Sequence, residues 1–221
     1  MRDCCAPLFN DYLGMTALRK KDFGKAVEYF ETAQKVDVSQ PAIALLWIAV
    51  TREREENSAE AEAMYKSALA ATKPDSPDAA TLMALYGEFL RRQGREDEAQ
   101  AILDRAKSVR KALRAAAAAQ MHTDSNAQRV GGGVSAPRVV AKIEPQYSEE
   151  ARLAKYSGTV VLYLEIGPDG LAHNLRVVEG LGLGLDEKAV EAVRSWRFTP
   201  GTKNGEPVTV AAHIEVNFRL L

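Results

Sequence analysis

Cysteine is nearly missing from this chain: two among 221 residues, side by side at Cys4 and Cys5. Adjacent cysteines bridge each other only under strain, and one such pair offers no spacing for a zinc site or a disulfide framework. They read as incidental. Histidine is almost as scarce, and His122, His173 and His213 stand too far apart to suggest a metal-ligand set. No charge sign dominates: 30 acidic residues against 29 basic ones leave a formal charge of −1. Nucleic-acid binders normally carry a basic surplus, so that class is excluded. Long apolar runs are absent too. The longest, Ala42 to Val50, has nine residues and is followed, after Thr51, by Arg52, Glu53, Arg54, Glu55 and Glu56. A membrane span takes about 20 apolar residues. Met1 to Cys5 shows neither an export-signal pattern nor a lipidation motif. No Gly-x-Ser-x-Gly word, phosphate loop or histidine beside a credible nucleophile occurs. No catalytic residue, metal or cofactor is therefore expected.

What the chain does contain changes character part way along. The first 120 residues hold 25 Ala and 13 Val, Ile and Thr; residues 137–221 hold 8 Ala and 18 of those β-branched residues. Alanine favours helix and β-branched residues favour strand. Between them, Met121 to Ala136 carries polar residues and then Gly131-Gly132-Gly133, the composition of a flexible linker. The expected organisation is a helical unit over 1–120, a linker over 121–136 and a sheet-bearing unit over 137–221.

The helical part repeats itself. Ala26, Phe30 and Ala33 recur as Ala61, Tyr65 and Ala68, and again as Ala99, Leu103 and Ala106. Spacings of four and three put each small-large-small set on one helix face. Leu13-Gly14 in the first unit corresponds to Tyr86-Gly87 in the third. Small residues let paired helices approach and the large one fills the groove between them. The pattern resembles the tetratricopeptide repeat, a helix–turn–helix of about 34 residues. Lys21-Asp22-Phe23-Gly24 and Gly94-Arg95-Glu96-Asp97 look like its inter-helix turns. The resemblance implies a surface for a protein partner, or a spacer. The first helix of the middle unit offers none of the basic and amide donors that grip peptide carboxylates.

The second half is predicted from its alternation and turns. Gly158 to Ile166 reads as a strand, Asp169-Gly170 as a hairpin turn, and Leu171 to Glu179 as the returning strand. Leu185, Ala189, Val193 and Trp196 mark a helix face, with Asp186 as its N-cap. A short helix over 148–155 is capped by Ser148. Asn204-Gly205 is another turn, and alternation from Val208 to Leu220 makes the last strand. Gly180-Leu181-Gly182-Leu183-Gly184-Leu185 lacks the third glycine of a dinucleotide fingerprint and reads as a connector. Arg194 and Arg197 flank Trp196 in a structural, stacked role. The fold class is α+β: an all-α repeat array, then a small antiparallel sheet with two helices on one face.

Pro145-Gln146-Tyr147, Ala151-Arg152, Gly158-Thr159-Val160, Pro168-Asp169-Gly170, Leu185-Asp186, Trp196-Arg197-Phe198-Thr199-Pro200-Gly201, Asn204-Gly205 and Phe218 follow one another in order. Together they resemble the C-terminal domain of TonB, the energy transducer of Gram-negative outer-membrane transport. Ser148 departs from the family's usual proline. The membrane anchor and Pro-rich spacer that normally precede this domain are replaced here by helical repeats. The resemblance implies that a receptor peptide, the TonB box, adds as a strand to an open sheet edge. The partner-binding residues expected from it are Glu144, Gln146 and Tyr147, with Val208, Thr209, Val210, Ala211, Ala212, His213, Ile214, Glu215 and Val216 along the last strand. Glu144 stands where well-known members have Gln, and a carboxylate cannot donate as an amide does. The expected partner is an outer-membrane receptor or envelope complex, in the periplasm, with membrane contact through partners or a missing anchor. The alternatives are a scaffold whose sheet dimerises through the same edge, and a cytoplasmic location.

Overall fold

The computed structural model describes residues 6–36, 41–121 and 127–220. Cys4, Cys5 and His122 lie outside them. The chain divides into two compact units, Met1–Val109 and Arg110–Leu221. The division falls within one helix, upstream of the expected linker.

The first unit holds α1 (Ala6–Arg19), α2 (Phe23–Val36), α3 (Pro41–Arg54), α4 (Ser58–Ala70), α5 (Pro77–Arg92) and the start of α6 (Glu96–Met121). Each pair is joined by the same turn. Lys21 (φ 63°), Glu56 (φ 62°) and Gly94 (φ 76°) are left-handed. In each case the next amide reaches back five residues: Asp22 to Ala17, Asn57 to Arg52, and Arg95 to Leu90. This is the Schellman stop. Asp22 and Asn57 then cap the following helices through Lys25 N and Glu60 N. The repeat residues lie where the spacing puts them. Ala26, Phe30, Ala33, Ala61, Tyr65, Ala68, Ala99 and Ala106 are buried. A Cβ on Gly14 would meet the Phe30 ring at 2.4 Å, and one on Gly87 the Leu103 side chain at 2.7 Å. Close helix approach is the reason for glycine at both positions. An acid–base clamp spans the repeats. Glu62 on α4 accepts from Arg95 at 2.6 Å, from Lys66 at 2.7 Å and from the Tyr86 hydroxyl at 2.9 Å.

The second unit holds the end of α6, then β1 (Arg138–Ala141), α7 (Glu149–Leu153), β2 (Gly158–Ile166), β3 (Ala172–Glu179), α8 (Leu185–Arg194), β4 (Arg197–Thr199), β5 (Gly201–Lys203), β6 (Glu206–Val208) and β7 (Val210–Phe218). The main sheet has the order β3-β2-β7, all antiparallel. Two small ribbons, β1-β4 and β5-β6, complete the strands. Ser148 caps α7 through Ala151 N, as its sequence implied. Asp186 does not cap α8. Gly184 (φ 73°) holds the N-cap position, and Asp186 instead accepts from the amides of Leu181 and Gly182, tying down the glycine connector. The last strand is not continuous: Thr209 breaks it into β6 and β7. Among the described residues no helix is long and apolar enough to cross a membrane.

Candidate functional site

Directly paired residues of β2 and β7 share a face. Val160, Leu162, Leu164 and Ile166 align with Val216, Ile214, Ala212 and Val210. These form the core face, with α8 packed against β2 and β3. The other face presents Thr159, Val161, Tyr163 and Glu165 beside Asn217, Glu215, His213 and Ala211. The tail of α6 covers part of it: Ala117 and Ala211 pack on Val161, Tyr163 and Val178. Arg114 reaches Glu179 at 3.4 Å, and Arg110 bonds the Tyr156 hydroxyl. Burial, with Arg114 nearby, lowers the pKa of His213 below the ordinary imidazole value. The sequence assigned this tail to the helical array. Nothing in an alanine run, Ala115 to Ala119, announces a sheet beneath it.

The sheet has two edges of unequal quality. β3 slips register against β2 twice, and Asn174 within it is left-handed (φ 49°). Bulges of this kind blunt an edge against further pairing. β7 pairs with β2 over nine successive residues with no slip. Its outward groups are identified by one contact: the Ala211 amide donates to the Gln128 carbonyl at 2.9 Å, away from β2. Backbone groups alternate sides along a strand. Hence the odd-numbered residues Ala211, His213, Glu215 and Asn217 point outward, and the even-numbered ones bond to β2. Among the described residues, no backbone carbonyl accepts from the outward amides of His213, Glu215 and Asn217, which stand in the sheet plane.

The residues expected from sequence fall into three groups. Val210, Ala211, Ala212, His213, Ile214, Glu215 and Val216 lie on β7. Val208 lies on β6, paired with Gly201, and Thr209 sits at the break. Tyr147 stands at the far end of β7, edge-on to Phe218 with ring centroids 5.6 Å apart, its hydroxyl donating to the Tyr156 carbonyl at 2.6 Å. Glu144 is exposed and paired with Lys142 at 2.9 Å. Gln146 is exposed. No described hydrogen bond or ion pair ties Glu144 or Gln146 to β7. Trp196 is buried, and its indole N–H donates to the Ile143 carbonyl at 2.8 Å. The cation over its ring is Lys142, 5.5 Å from the centroid. Arg197 instead bonds the carbonyls of Ser195 and Trp196. No cluster of three or more metal-ligating side chains occurs among the described residues.

A helix-backed antiparallel sheet with one regular open edge, preceded by helical repeats, defines a class of protein-interaction modules. Sequence comparison makes the class specific. Residues 143–220 match the family described as Gram-negative bacterial TonB protein C-terminal, and residues 40–112 and 13–37 match tetratricopeptide repeats. The chain thus carries a TonB C-terminal domain behind tetratricopeptide repeats. It is similar to protein TonB of Klebsiella pneumoniae, 30% identical over 84 residues, covering 38% of this chain and 34% of that protein. It is also similar to protein TonB of Vibrio cholerae, 32% identical over 83 residues, covering 37% of this chain and 34% of that protein. The match spans about a third of the length of these relatives. The solution structure of the Pseudomonas aeruginosa TonB C-terminal domain aligns at 21% identity with a TM-score of 0.34, covering 43% of this chain and 96% of that one.

Proposed function

We propose that the second unit binds an extended peptide of an outer-membrane receptor by strand addition along β7, and that the repeats bind a second protein partner. The observation that carries this reading is the open, unslipped edge with outward amides at His213, Glu215 and Asn217, on a domain that matches TonB. An added strand makes main-chain hydrogen bonds worth about 1 kcal/mol each net, so affinity is modest and neighbouring side chains set specificity. The chain is a non-catalytic adaptor of the cell envelope, working in the periplasm with no cofactor. The β3 edge, with its two slips, is a poor acceptor by comparison.

Proline tests the mechanism because it lacks the amide hydrogen. His213→Pro removes an outward donor; it abolishes binding of synthetic TonB-box peptides and leaves the circular dichroism near wild type. Ile214→Pro removes a bond to β2 and unfolds the unit. Peptide-induced shifts in the repeats, with 211–217 unchanged, refute strand addition. A doubled mass in solution, lost in His213→Pro, favours the scaffold that pairs its own edges.

A further inference from the structure

The β7 edge is not open along its whole length. The backbone N–H of Gln128 donates to the Thr209 carbonyl at 2.9 Å, and its carbonyl accepts from Ala211 N–H at 2.9 Å. That is a single rung of parallel pairing at Val210. The chain then turns away. Gly131 and Val134 exchange two backbone bonds of 3.1 Å each, around glycines at φ 112°, 58° and 88°. Ser135 pins the turn to β5: its amide donates to the Thr202 carbonyl at 2.8 Å, and its hydroxyl oxygen accepts from Thr202 N–H at 2.7 Å. Gly201 makes room for this, since a Cβ there would lie 2.7 Å from the Ser135 carbonyl oxygen. The segment that reads in sequence as a loose linker is held at three successive places, and at Gln128 by main-chain atoms alone.

We infer that Gln128 is a built-in rung that closes the Thr209–Ala211 end of the β7 edge and confines an incoming peptide to the outward groups of His213, Glu215 and Asn217. The inference rests on β7 being the peptide edge. The pairing of Gln128 is itself an instance of an extended segment seated there, which is the chemistry that the receptor peptide needs. Without that rung, the peptide's register is free to slide toward Thr209 by steps of two residues. With it, an extended segment of about five residues fits, at the side-chain period of two.

Amide exchange on the full chain, read by NMR, tests this. In the free protein Ala211 exchanges at least about tenfold more slowly than His213 or Glu215. Gln128→Pro removes the N–H that holds the segment to Thr209; with the segment released, the Ala211 amide, whose acceptor is the carbonyl of the same residue, exchanges at their rate. Gln128→Ala behaves as wild type, because the side chain takes no part. Synthetic TonB-box peptide protects His213, Glu215 and Asn217 in the wild type; in Gln128→Pro the footprint extends to Ala211 and binding tightens about fivefold, as one added hydrogen bond gives. Fast exchange at Ala211 in the free wild type overturns the rung. A wild-type footprint that includes Ala211 and is unchanged by Gln128→Pro overturns the confinement while leaving strand addition intact. Protection nowhere along β7 overturns strand addition and the confinement with it, while the free-chain rate of Ala211 still decides the rung.

Discussion

Trp196 carries more of the second unit than its position at a helix end suggests. It is 3% exposed, packs beside Phe198 and bonds the Ile143 carbonyl. Trp196→Ala is expected to cost about 3–5 kcal/mol in denaturant unfolding of the second unit. Trp196→Phe keeps most of the packing and costs about 1 kcal/mol, the net contribution of the hydrogen bond to Ile143. Gly14 is its counterpart in the repeats. Gly14→Ala drives a methyl into the Phe30 ring and should lower stability by about 1–3 kcal/mol, against a gain in helix propensity of under about 1 kcal/mol. Both residues were legible in sequence, Trp196 from its place after an apolar helix face and Gly14 from its repeat position. Lys142 over the indole was not legible, since nothing along the chain relates position 142 to position 196. Glu62 makes a pH prediction. Hydrogen bonds from Arg95 and then Lys66 lower its pKa from 4.5 to about 2. A carboxylate with a depressed folded pKa stabilises above its unfolded value, and that contribution is lost as pH falls from about 4.5 to 2. The effect is about 1 kcal/mol or less at this partly solvated site. Thermal melts of Glu62→Gln should show a flatter pH slope across that window.

At the scale of elements, periodicity located helices and strands well and their ends less well. The repeats, the β2–β3 hairpin and α8 follow from spacing and turn chemistry alone. The split of the last strand at Thr209 does not, because alternation runs unbroken through it. Side-chain parity is preserved while the backbone changes partner, from β5 to β2. The cap of α8 failed for a related reason. Asp186 has the right chemistry, but two amides of the glycine connector compete for its carboxylate. Gln128 and the α6 tail were missed because an edge rung and a cover over a sheet face use main-chain atoms and alanines, which carry no pattern. Their contribution is measurable. We expect the fragment 110–221 to fold cooperatively and the fragment 137–221 to be less stable, by about 2 kcal/mol or more from the lost rung and the exposed Val161 and Val178 surface. Equal midpoints in urea for the two fragments would show that the extra residues are passive.

At the scale of the whole molecule, the change in composition announced two units and the structure divides inside α6. The sequence contains two tryptophans, and they are shared out evenly. Trp47 lies in the first unit, stacked near Phe30, and Trp196 lies in the second, and both are buried. Each unit therefore carries its own intrinsic fluorophore in a dry setting, and unfolding shifts each emission to the red as water reaches the indole. Trp47→Phe leaves a protein whose light comes from the sheet alone, and Trp196→Phe one whose light comes from the repeats alone. In each variant the indole transition is compared with the helix melt of the same protein, followed by circular dichroism. The two coincide if the molecule unfolds as one cooperative body and separate if the units act independently.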